Sequence, residues 1–326
     1  MTKPNVLAII PPDHYAVRGL KPILDRANFC ISSDPNEIRE FLPRAEIILS
    51  SGMTGKTVSL RDLWPLAKNV KWVHSLSAGV ENLLFPALIE SPVPVTNARG
   101  VFKRSLAEFS ILGMLYFYKQ VSRLMDNKRA HKWEPFDIDW LPDRIMGVVG
   151  FGEIGRECAI LAKCLGLKIY ALRRRPEKSA SDPLIDKAFG TEDLHSMLAE
   201  VDVLVCSAPN TPETHHMIGA DAFKVMKSSA IVINVGRGPV IDEAALTRAL
   251  QEKQIAAAAL DVFEKEPLPP DHPFWDMPNV LISPHSADHT RDPDWLDLAV
   301  RRFVENFHRY QNGEPLEPLV DKKAGY

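Results

Sequence analysis

The chain has 326 residues, which is long for a single domain and favours two. Its apolar fraction (45%) and charged fraction (25%) are ordinary for a globular protein, and a formal net charge of −3 gives no electrostatic reason to expect nucleic acid or an anionic membrane as a partner. The sequence has no run approaching the ~18 apolar residues of a membrane helix. A predicted strand begins at residue 6, which leaves no room for a signal peptide, so we expect a cytoplasmic protein.

The cysteines indicate a reducing environment. Cys30, Cys158, Cys164 and Cys206 lie in apolar sequence without the spacing of metal ligands. Small buried side chains fit this pattern better than disulfides or metal ligands do. We therefore expect buried thiols and no bound metal.

The first 99 residues alternate short apolar runs with helical stretches. Strands are predicted over residues 6–10, 46–50, 72–76 and 93–97. This alternation predicts a small parallel α/β unit. Residues 75–81 (Ser-Leu-Ser-Ala-Gly-Val-Glu) predict a loop that opens a helix. The N–H groups of that loop could hold an anion, and a plain strand-to-helix turn explains the segment equally well.

A long helix is predicted over residues 102–124. Its apolar residues are Leu106, Phe109, Ile111, Leu112, Leu115 and Tyr116. Such a helix is either buried in a core or packed against a second subunit. Residues 128–142, which include Trp133 and Trp140, predict an irregular crossing segment.

A glycine-rich turn joins the next predicted strand to a helix. The apolar run 145–149 predicts a buried strand, and apolar residues recur at helical intervals over 153–165. Between them, Gly150, Gly152 and Gly155 have the spacing G-x-G-x-x-G. In this motif the first glycine makes a tight turn, the second admits a pyrophosphate, and the third lets the helix pack on the strand.

A dinucleotide bound at this turn would lay its phosphates against the helix N-terminus, where free N–H groups and the helix dipole favour negative charge. The N–H groups of Glu153, Ile154 and Gly155 are the expected contacts. The alternative is a turn whose glycines are purely structural.

The regular alternation continues to about residue 283. Further strands are predicted over residues 168–172, 203–206, 230–234, 256–261 and 280–282. With the strand before the glycine turn they make six, the number expected of a doubly wound nucleotide-binding domain. A closing helix is predicted over 292–312, with Asp292 as its N-cap, and the polar tail 313–326 could lie back over the first domain.

Polar patches follow three of these strands, at residues 234–239, 261–267 and 283–287. In a parallel sheet they emerge on the same carboxyl edge as the glycine turn, which is where open α/β sheets bind ligands.

Each patch offers one group to a reaction at that edge. Arg237 can clamp a carboxylate and polarise a carbonyl, and His285 can give the carbonyl oxygen a proton while a hydride reaches the carbon. Glu266 can orient the imidazole and keep it protonated. Taken singly, a surface arginine, a loop glutamate and a structural histidine are the alternatives.

These motifs resemble the D-isomer-specific 2-hydroxyacid dehydrogenases, the family of glyoxylate/hydroxypyruvate reductases, formate dehydrogenase and phosphoglycerate dehydrogenase. The resemblance covers nearly the whole chain, and its motifs are Ser77-Ala-Gly-Val80, residues 97–100, Leu106-Ala-Glu108, the glycine turn, Thr211-Pro-Glu-Thr214 and the three patches. Residues 266–270 and 320–326 resemble the glyoxylate/hydroxypyruvate reductase branch.

The resemblance implies a fold of two Rossmann-like, doubly wound parallel-sheet α/β domains with the active site in the cleft between them. Residues 1–99 plus 290–326 would form a flavodoxin-like substrate domain. Residues 100–289 would form the dinucleotide-binding Rossmann domain.

The resemblance also implies roles for single residues. Arg237 would bind the substrate carboxylate and carbonyl, and Glu266 and His285 would form the acid/base pair. The N–H groups of Ala78 and Gly79 would bind the substrate carboxylate. Cofactor contacts would come from Ser207, Pro209, Val235, Gly236, Arg237, Asp261 (to the nicotinamide carboxamide), His285 and Ala287.

One departure from the family pattern concerns the choice of cofactor. NAD-specific members place Asp or Glu at the end of the second strand, where it accepts from the ribose 2′-OH. Here that strand runs into Arg173, Arg174 and Arg175. Three guanidinium groups can grip a 2′-phosphate, so the sequence favours NADP(H), with NAD(H) still possible. The alternative is a solvated basic turn.

The sequence therefore predicts an NADPH-preferring reductase of a small 2-oxoacid, of the glyoxylate/hydroxypyruvate type, that forms the D-2-hydroxyacid. Two alternatives stay open: an NAD-linked dehydrogenase working oxidatively, and a catalytically silent NAD(P)-binding regulator. We expect a homodimer built on the helix at 102–124, with Trp133 or Trp140 near the partner's site. Met53 and Trp133 are candidates for the substrate side-chain pocket.

Overall fold

The computed structural model describes residues 3–51, 59–178, 181–290 and 293–326. Met53 and Asp292 therefore lie outside the described residues. The described chain divides into two compact units, one of Met1–Phe102 with Thr290–Tyr326 and one of Lys103–His289. Among the helices described, we find none that is both long enough and apolar enough to cross a membrane.

Strands and helices alternate along the chain. The described strands are β1 (Asn5–Ile9), β2 (Asn28–Ser32), β3 (Ile47–Ser50), β4 (Trp72–Ser75), β5 (Val95–Asn97), β6 (Ile145–Val149), β7 (Lys168–Leu172), β8 (Lys187–Phe189), β9 (Val203–Cys206), β10 (Ile231–Asn234), β11 (Ala257–Leu260) and β12 (Val280–Ile282). The described α-helices are α1 (Ala16–Gly19), α2 (Pro35–Phe41), α3 (Leu60–Leu63), α4 (Pro86–Glu90), α5 (Lys103–Tyr118), α6 (Val121–Arg129), α7 (Glu153–Cys164), α8 (Leu194–Glu200), α9 (Ala220–Val225), α10 (Glu243–Gln251) and α11 (Pro293–Asn312).

Each unit is built on a parallel sheet, as the sequence predicted. In the first unit the described strands lie in the order β2-β1-β3-β4-β5. In the second the order is β12-β11-β10-β9-β6-β7-β8, the doubly wound order 3-2-1-4-5-6 with one further edge strand. Strand order reverses beside β6, so the glycine turn that follows β6 lies at the switch point where such sheets bind ligands.

The register of the second unit's sheet aligns the carboxyl ends of neighbouring strands. Val149 lies opposite Cys206, Cys206 opposite Asn234, Asn234 opposite Leu260, and Leu260 opposite Ile282. Each is the last residue of its strand, so the loops that follow leave the sheet along one edge.

Two strands were missed by the sequence prediction of four and six. β2 pairs with β1, and β8 pairs with β7, each at an edge of its sheet in the part described. An edge strand is covered on fewer sides, so it needs fewer apolar residues. Asn, Cys and Ser take three of the five positions in β2, and β8 is three residues long.

The predicted helix over residues 102–124 is in fact two helices. Gln120 has a left-handed backbone (φ 49°), which ends α5 before α6 begins. The face of α5 that includes Leu106, Gly113 and Met114 is buried. A Cβ on Gly113 would lie 2.6 Å from the Cβ of Ala259, so α5 packs tightly on β11.

The cysteines partly contradict the expectation of buried thiols. Cys158 and Cys206 are buried, and burial raises the pKa of each thiol to about 12. Cys30 is partly exposed, however, and Cys164, at the C-terminal end of α7, is exposed. The four thiols are free within the described chain, and no group of three or more His, Cys, Asp or Glu residues there could hold a metal ion.

The C-terminal tail packs within the first unit. Leu319 pairs with Thr96 as an antiparallel bridge, and the Val320 N–H donates to the Val95 carbonyl. Lys322 donates to three carbonyls around the end of α4, those of Leu88, Ser91 and Val93.

Candidate active site

The three glycines after β6 have three different surroundings. Gly150 has a left-handed backbone (φ +85°), and a Cβ there would lie 2.6 Å from the Ala208 backbone. A Cβ on Gly155 would lie 2.6 Å from Val148, so this glycine lets α7 approach its strand. A Cβ on Gly152, by contrast, would meet no described atom within 4 Å. The turn therefore has open space at its second glycine, where the motif admits a pyrophosphate.

The start of α7 suits an anion. Gly152 is the N-cap and supplies no side-chain bond to the helix, so first-turn N–H groups such as those of Glu153 and Ile154 are not capped by a side chain in the described structure. The Ser207 hydroxyl donates to the Gly150 carbonyl over 2.8 Å and ties the end of β9 to the turn. The Pro209 carbonyl accepts from Thr214, which fixes the loop of Thr211-Pro-Glu-Thr214.

The three arginines follow β7 at its end, where the sequence placed them. Arg173 is partly exposed, and Arg174 and Arg175 are exposed. The structure adds two acidic neighbours that the sequence did not indicate. Burial works against a low pKa for Asp182, but hydrogen bonds from Leu184 and Arg156 and the charges of Arg156 and Arg173 lower it. The pKa of Glu213 is lowered chiefly by a hydrogen bond with the Thr211 side chain, and the charge of Arg174 adds to this effect.

The loop after β10 is held by a buried amide. The Asn234 side chain accepts from the Gly236 N–H and donates to the Arg237 carbonyl, over 3.1 and 3.0 Å. A Cβ on Gly236 would lie 2.7 Å from the Ala208 carbonyl oxygen, so this glycine allows a close approach to the loop after β9. Val235 is buried, and Arg237 is partly exposed with one guanidinium N–H donating to the Gly236 carbonyl.

His285 and Glu266 form a direct pair. The distance from His285 Nδ1 to Glu266 Oε2 is 2.7 Å, and the side chains are 48% and 35% exposed. The other carboxylate oxygen of Glu266 accepts from the Phe263 N–H over 3.0 Å. The structure therefore brings together two residues that are separate in the sequence, and it leaves His285 Nε2 pointing away from the carboxylate.

Each member of this pair shifts the pKa of the other in the direction that favours its charged form. The hydrogen bond and charge of Glu266, together with the charge of Asp261, raise the pKa of His285 against the opposing effects of burial and Arg237. Burial would raise the pKa of Glu266, but the bonds from His285 and Phe263 and the charges of His285 and Arg237 outweigh it and lower the pKa. Arg237 acts on both groups, so its guanidinium lies within electrostatic reach of the pair.

Asp261 organises the loop that carries His285. Its buried carboxylate accepts from the Ser286 and Ala287 N–H groups, each over 2.9 Å, and its carbonyl accepts from the His285 N–H. This arrangement holds His285 in a left-handed backbone conformation (φ 51°). The sequence indicated Asp261 as a cofactor contact, but it did not indicate that Asp261 holds the backbone of residues 285–287.

The loop after β4 differs from its prediction. No helix begins at residues 75–81; turns run on to residue 83, and α4 starts at Pro86. The Asn97 amide donates to the Ala78 carbonyl, which fixes the peptide between Ala78 and Gly79. Any anion bound by these two residues would therefore meet loop N–H groups rather than a helix N-terminus.

Comparison with known proteins identifies the family. The family described as D-isomer specific 2-hydroxyacid dehydrogenase, NAD binding domain, matches residues 111–287. The chain belongs to that family. It is accordingly an oxidoreductase that uses NAD(P).

This dehydrogenase is similar to several named proteins. A glyoxylate reductase from Aeropyrum pernix is 35% identical over 275 residues, covering 81% of this chain and 80% of that protein. A glyoxylate/hydroxypyruvate reductase B from Yersinia pestis is 35% identical over 278 residues, covering 82% of each. The structure of an NADPH-dependent glyoxylate/hydroxypyruvate reductase from Sinorhizobium meliloti, in complex with NADP and sulfate, has a TM-score of 0.86 at 26% identity and covers 100% of both chains.

Proposed function

We propose that this dehydrogenase works as an NADPH-preferring reductase of a small 2-oxoacid, of the glyoxylate or hydroxypyruvate type, and forms the D-2-hydroxyacid. The observation that carries this proposal is the 2.7 Å pair of His285 and Glu266, with Arg237 in electrostatic reach, on the sheet edge that also holds the glycine turn. The names of the Aeropyrum and Yersinia relatives support the reductase direction and the substrate class.

His285 is the proton donor in this proposal. As the carbonyl oxygen gains negative charge, the ring N–H at Nε2 donates to it, and the imidazole becomes neutral. Glu266 holds Nδ1, so the ring is oriented and protonated before the reaction starts. In the oxidative direction the neutral ring would take the same proton back.

Arg237 is the substrate-orienting group. Its planar guanidinium can bind the carboxylate and polarise the neighbouring carbonyl. Asn234 fixes the backbone on either side of this arginine, so the direction of the side chain is restricted at its base. We assign the N–H groups of Ala78 and Gly79 to the same carboxylate.

The residues around the glycine turn fit a dinucleotide. The open space at Gly152 and the uncapped first turn of α7 suit a pyrophosphate, with Glu153, Ile154 and Gly155 as N–H donors. Ser207, Pro209, Val235, Gly236, Asp261 and Ala287 would line the rest of the bound cofactor. When bound, the reduced nicotinamide supplies the hydride. We assign residues 100–289 to cofactor binding and residues 1–99 with 290–326 to substrate binding.

The preference for NADPH is assigned to Arg173, Arg174 and Arg175. These side chains follow β7, where a carboxylate would otherwise select NAD, and the Sinorhizobium relative is NADPH-dependent. Replacing Arg173 and Arg174 by Ala should raise the KM for NADPH roughly tenfold or more, because each lost charge-assisted bond costs ~1.5–3 kcal/mol. The KM for NADH should change far less.

Steady-state kinetics with both cofactors and a panel of 2-oxoacids test this proposal. Equal effects of the double substitution on NADPH and NADH would refute the cofactor assignment. A wild-type enzyme that prefers NADH and the hydroxyacid would instead indicate the oxidative alternative, and absence of any turnover would indicate a regulator.

We further propose a homodimer through α5, α6 and the segment after them. Leu112, Leu124, Trp133, Ile138 and Trp140 are large apolar side chains exposed in the single chain, with Trp133 97% exposed. Such a group of exposed apolar side chains on one unit is typical of a subunit interface. A monomer in light scattering at micromolar concentration would contradict this assignment.

A further inference from the structure

A second histidine–carboxylate pair lies beside the candidate active site. His216 Nε2 is 2.8 Å from Glu264 Oε1, and Glu264 stands two residues before Glu266 on the loop that follows β11. The sequence analysis did not single out either residue, and the proposed reaction assigns no role to either of them.

Glu264 is joined reciprocally to the start of α10. Its carboxylate oxygen Oε1 accepts from the Glu243 N–H over 3.0 Å, and its own N–H donates to Glu243 Oε2 over 3.0 Å. Glu243 in turn lies 3.3 Å from His272 Nε2, and both of these side chains are largely buried. Two loops and a helix start are thus linked by charge-assisted hydrogen bonds.

The helix does not need this carboxylate in order to begin. Asp242 is already the N-cap of α10, and its side chain accepts from the Ala245 N–H over 2.8 Å. The bond from Glu264 is therefore additional to the cap. It joins the loop that carries Glu264 and Glu266 to the start of α10.

The segment from Arg237 to Glu243 is held to its own strand at Arg237, and against that same loop at Gly238 and at Glu243. Asn234 holds the first end, through the Arg237 carbonyl. A Cβ on Gly238 would clash with the Phe263 carbonyl group, so the two backbones are in direct contact one residue after Arg237. Glu264 holds the far end through the Glu243 N–H.

We propose that Glu264 is a positioning residue, which fixes the separation between Arg237 and the His285–Glu266 pair by fastening their two loops together. The roles of those three residues rest on the proposed function. The fastening itself is a property of the protein without substrate, so it can be tested separately.

The experiment compares Glu264→Ala, Glu264→Gln and Asp221→Ala in the full-length protein. Asp221 is the matched control, an exposed carboxylate of the same unit that pairs with Lys224 on its own helix α9. For each we would measure kcat/KM for glyoxylate with NADPH, the Kd of NADPH by fluorescence, and the pKa of His285 by NMR titration without cofactor. Comparison with a His285→Gln sample identifies the resonance.

Glu264→Ala should lower kcat/KM about tenfold or more, because small misplacements of catalytic groups are costly, while the Kd of NADPH stays within about twofold. The pKa of His285 should fall towards ~6.5 as its contact with Glu266 loosens, with Asp261 and Arg237 still in place. Glu264→Gln should recover most of both values, since its amide oxygen still accepts from Glu243 and His216. Asp221→Ala should match wild type.

Two results would overturn the proposal: a folded Glu264→Ala with wild-type kcat/KM and His285 pKa, or a Glu264→Gln as impaired as Glu264→Ala. If Glu264→Ala does not fold, Glu264→Asp, which withdraws the carboxylate but keeps its charge, should show the same two losses, and wild-type values would count against us. If wild type itself turns over no 2-oxoacid, the proposed function fails, and the NMR titration still decides the positioning.

Discussion

His74 and His285 belong to the two different units, and their surroundings differ in every respect that sets the charge of an imidazole. His74 lies in β4 and is completely buried, with Nδ1 2.7 Å from the Thr96 hydroxyl. Its Nε2 has no hydrogen-bond partner among the described atoms. Burial, and then the charge of Arg302, lower its pKa to about 3. His285 lies in a loop, is half exposed, and has its pKa raised by Glu266.

The comparison shows what a carboxylate partner and solvent access add to a histidine. A general acid works best with a pKa near the operating pH, which His285 can meet and His74 cannot. His74 stays neutral and contributes packing, against Trp72 and Phe303. His285 follows an apolar strand, whereas His74 lies within one, so their positions relative to a strand already separate them in the sequence.

Replacing His285 by Ala should give the largest effect. Loss of the proposed proton donor should reduce turnover by roughly 10²–10⁴-fold, with a smaller change in the affinity for NADPH. The matched substitution His74→Gln should keep turnover within a few-fold of wild type when assayed below its unfolding temperature. Turnover that falls equally in both variants would remove the distinction between the two histidines.

The pH dependence of the free energy of unfolding should reveal the lowered pKa of His74. Folding lowers the pKa of His74. The unfolded chain therefore binds a proton at His74 below about pH 6.5, whereas the folded chain binds it only below about pH 3. The free energy of unfolding should therefore lose up to ~1.4 kcal/mol per pH unit from this residue as pH falls through that window.

Urea unfolding at several pH values between about 4 and 7 measures this, and the difference between wild type and His74→Gln isolates the residue from the carboxylates that titrate in the same range. Parallel curves for the two proteins would show that His74 ionises normally. His285 has the opposite sign: its pKa is raised by folding, so its contribution is present below about pH 6.5 and is lost as pH rises through the folded value.

The sequence predicted the parts of the site that depend on the sheet. Apolar strands had to be parallel and buried, so the residues that follow them had to share one edge, and this placed Arg237 and His285 on the same side as the glycine turn. Glu266 was predicted for the same reason. Each inference used residues within a few positions of a strand end.

What the sequence did not indicate depends on hydrogen bonds between distant residues. The contacts of Glu264 with His216 and Glu243 span 48 and 21 residues, and no local period marks them. The support that Asp261 gives to residues 285–287 also became visible only when the loops were folded together. The buried state of His74 was missed because the pattern around it is that of any strand.

The smallest effect expected is a change in pH dependence when Glu266 is replaced by Gln, and it tests the cause of the difference between the two histidines. In the proposed function reduction needs a protonated His285, so its rate should hold at low pH and fall as pH rises through the raised pKa. Gln keeps the size of the side chain and removes its charge, so the fall should move to lower pH. Oxidation of the hydroxyacid needs the neutral ring, so in that direction the rise in rate should move to lower pH by the same amount.

We would record turnover against pH for wild type and Glu266→Gln in both directions, with His74→Gln as the control whose midpoints should match wild type. Superimposed profiles for wild type and Glu266→Gln would mean that Glu266 does not tune His285, and the raised pKa would then need another source, for which Asp261 is the remaining carboxylate that acts on the ring.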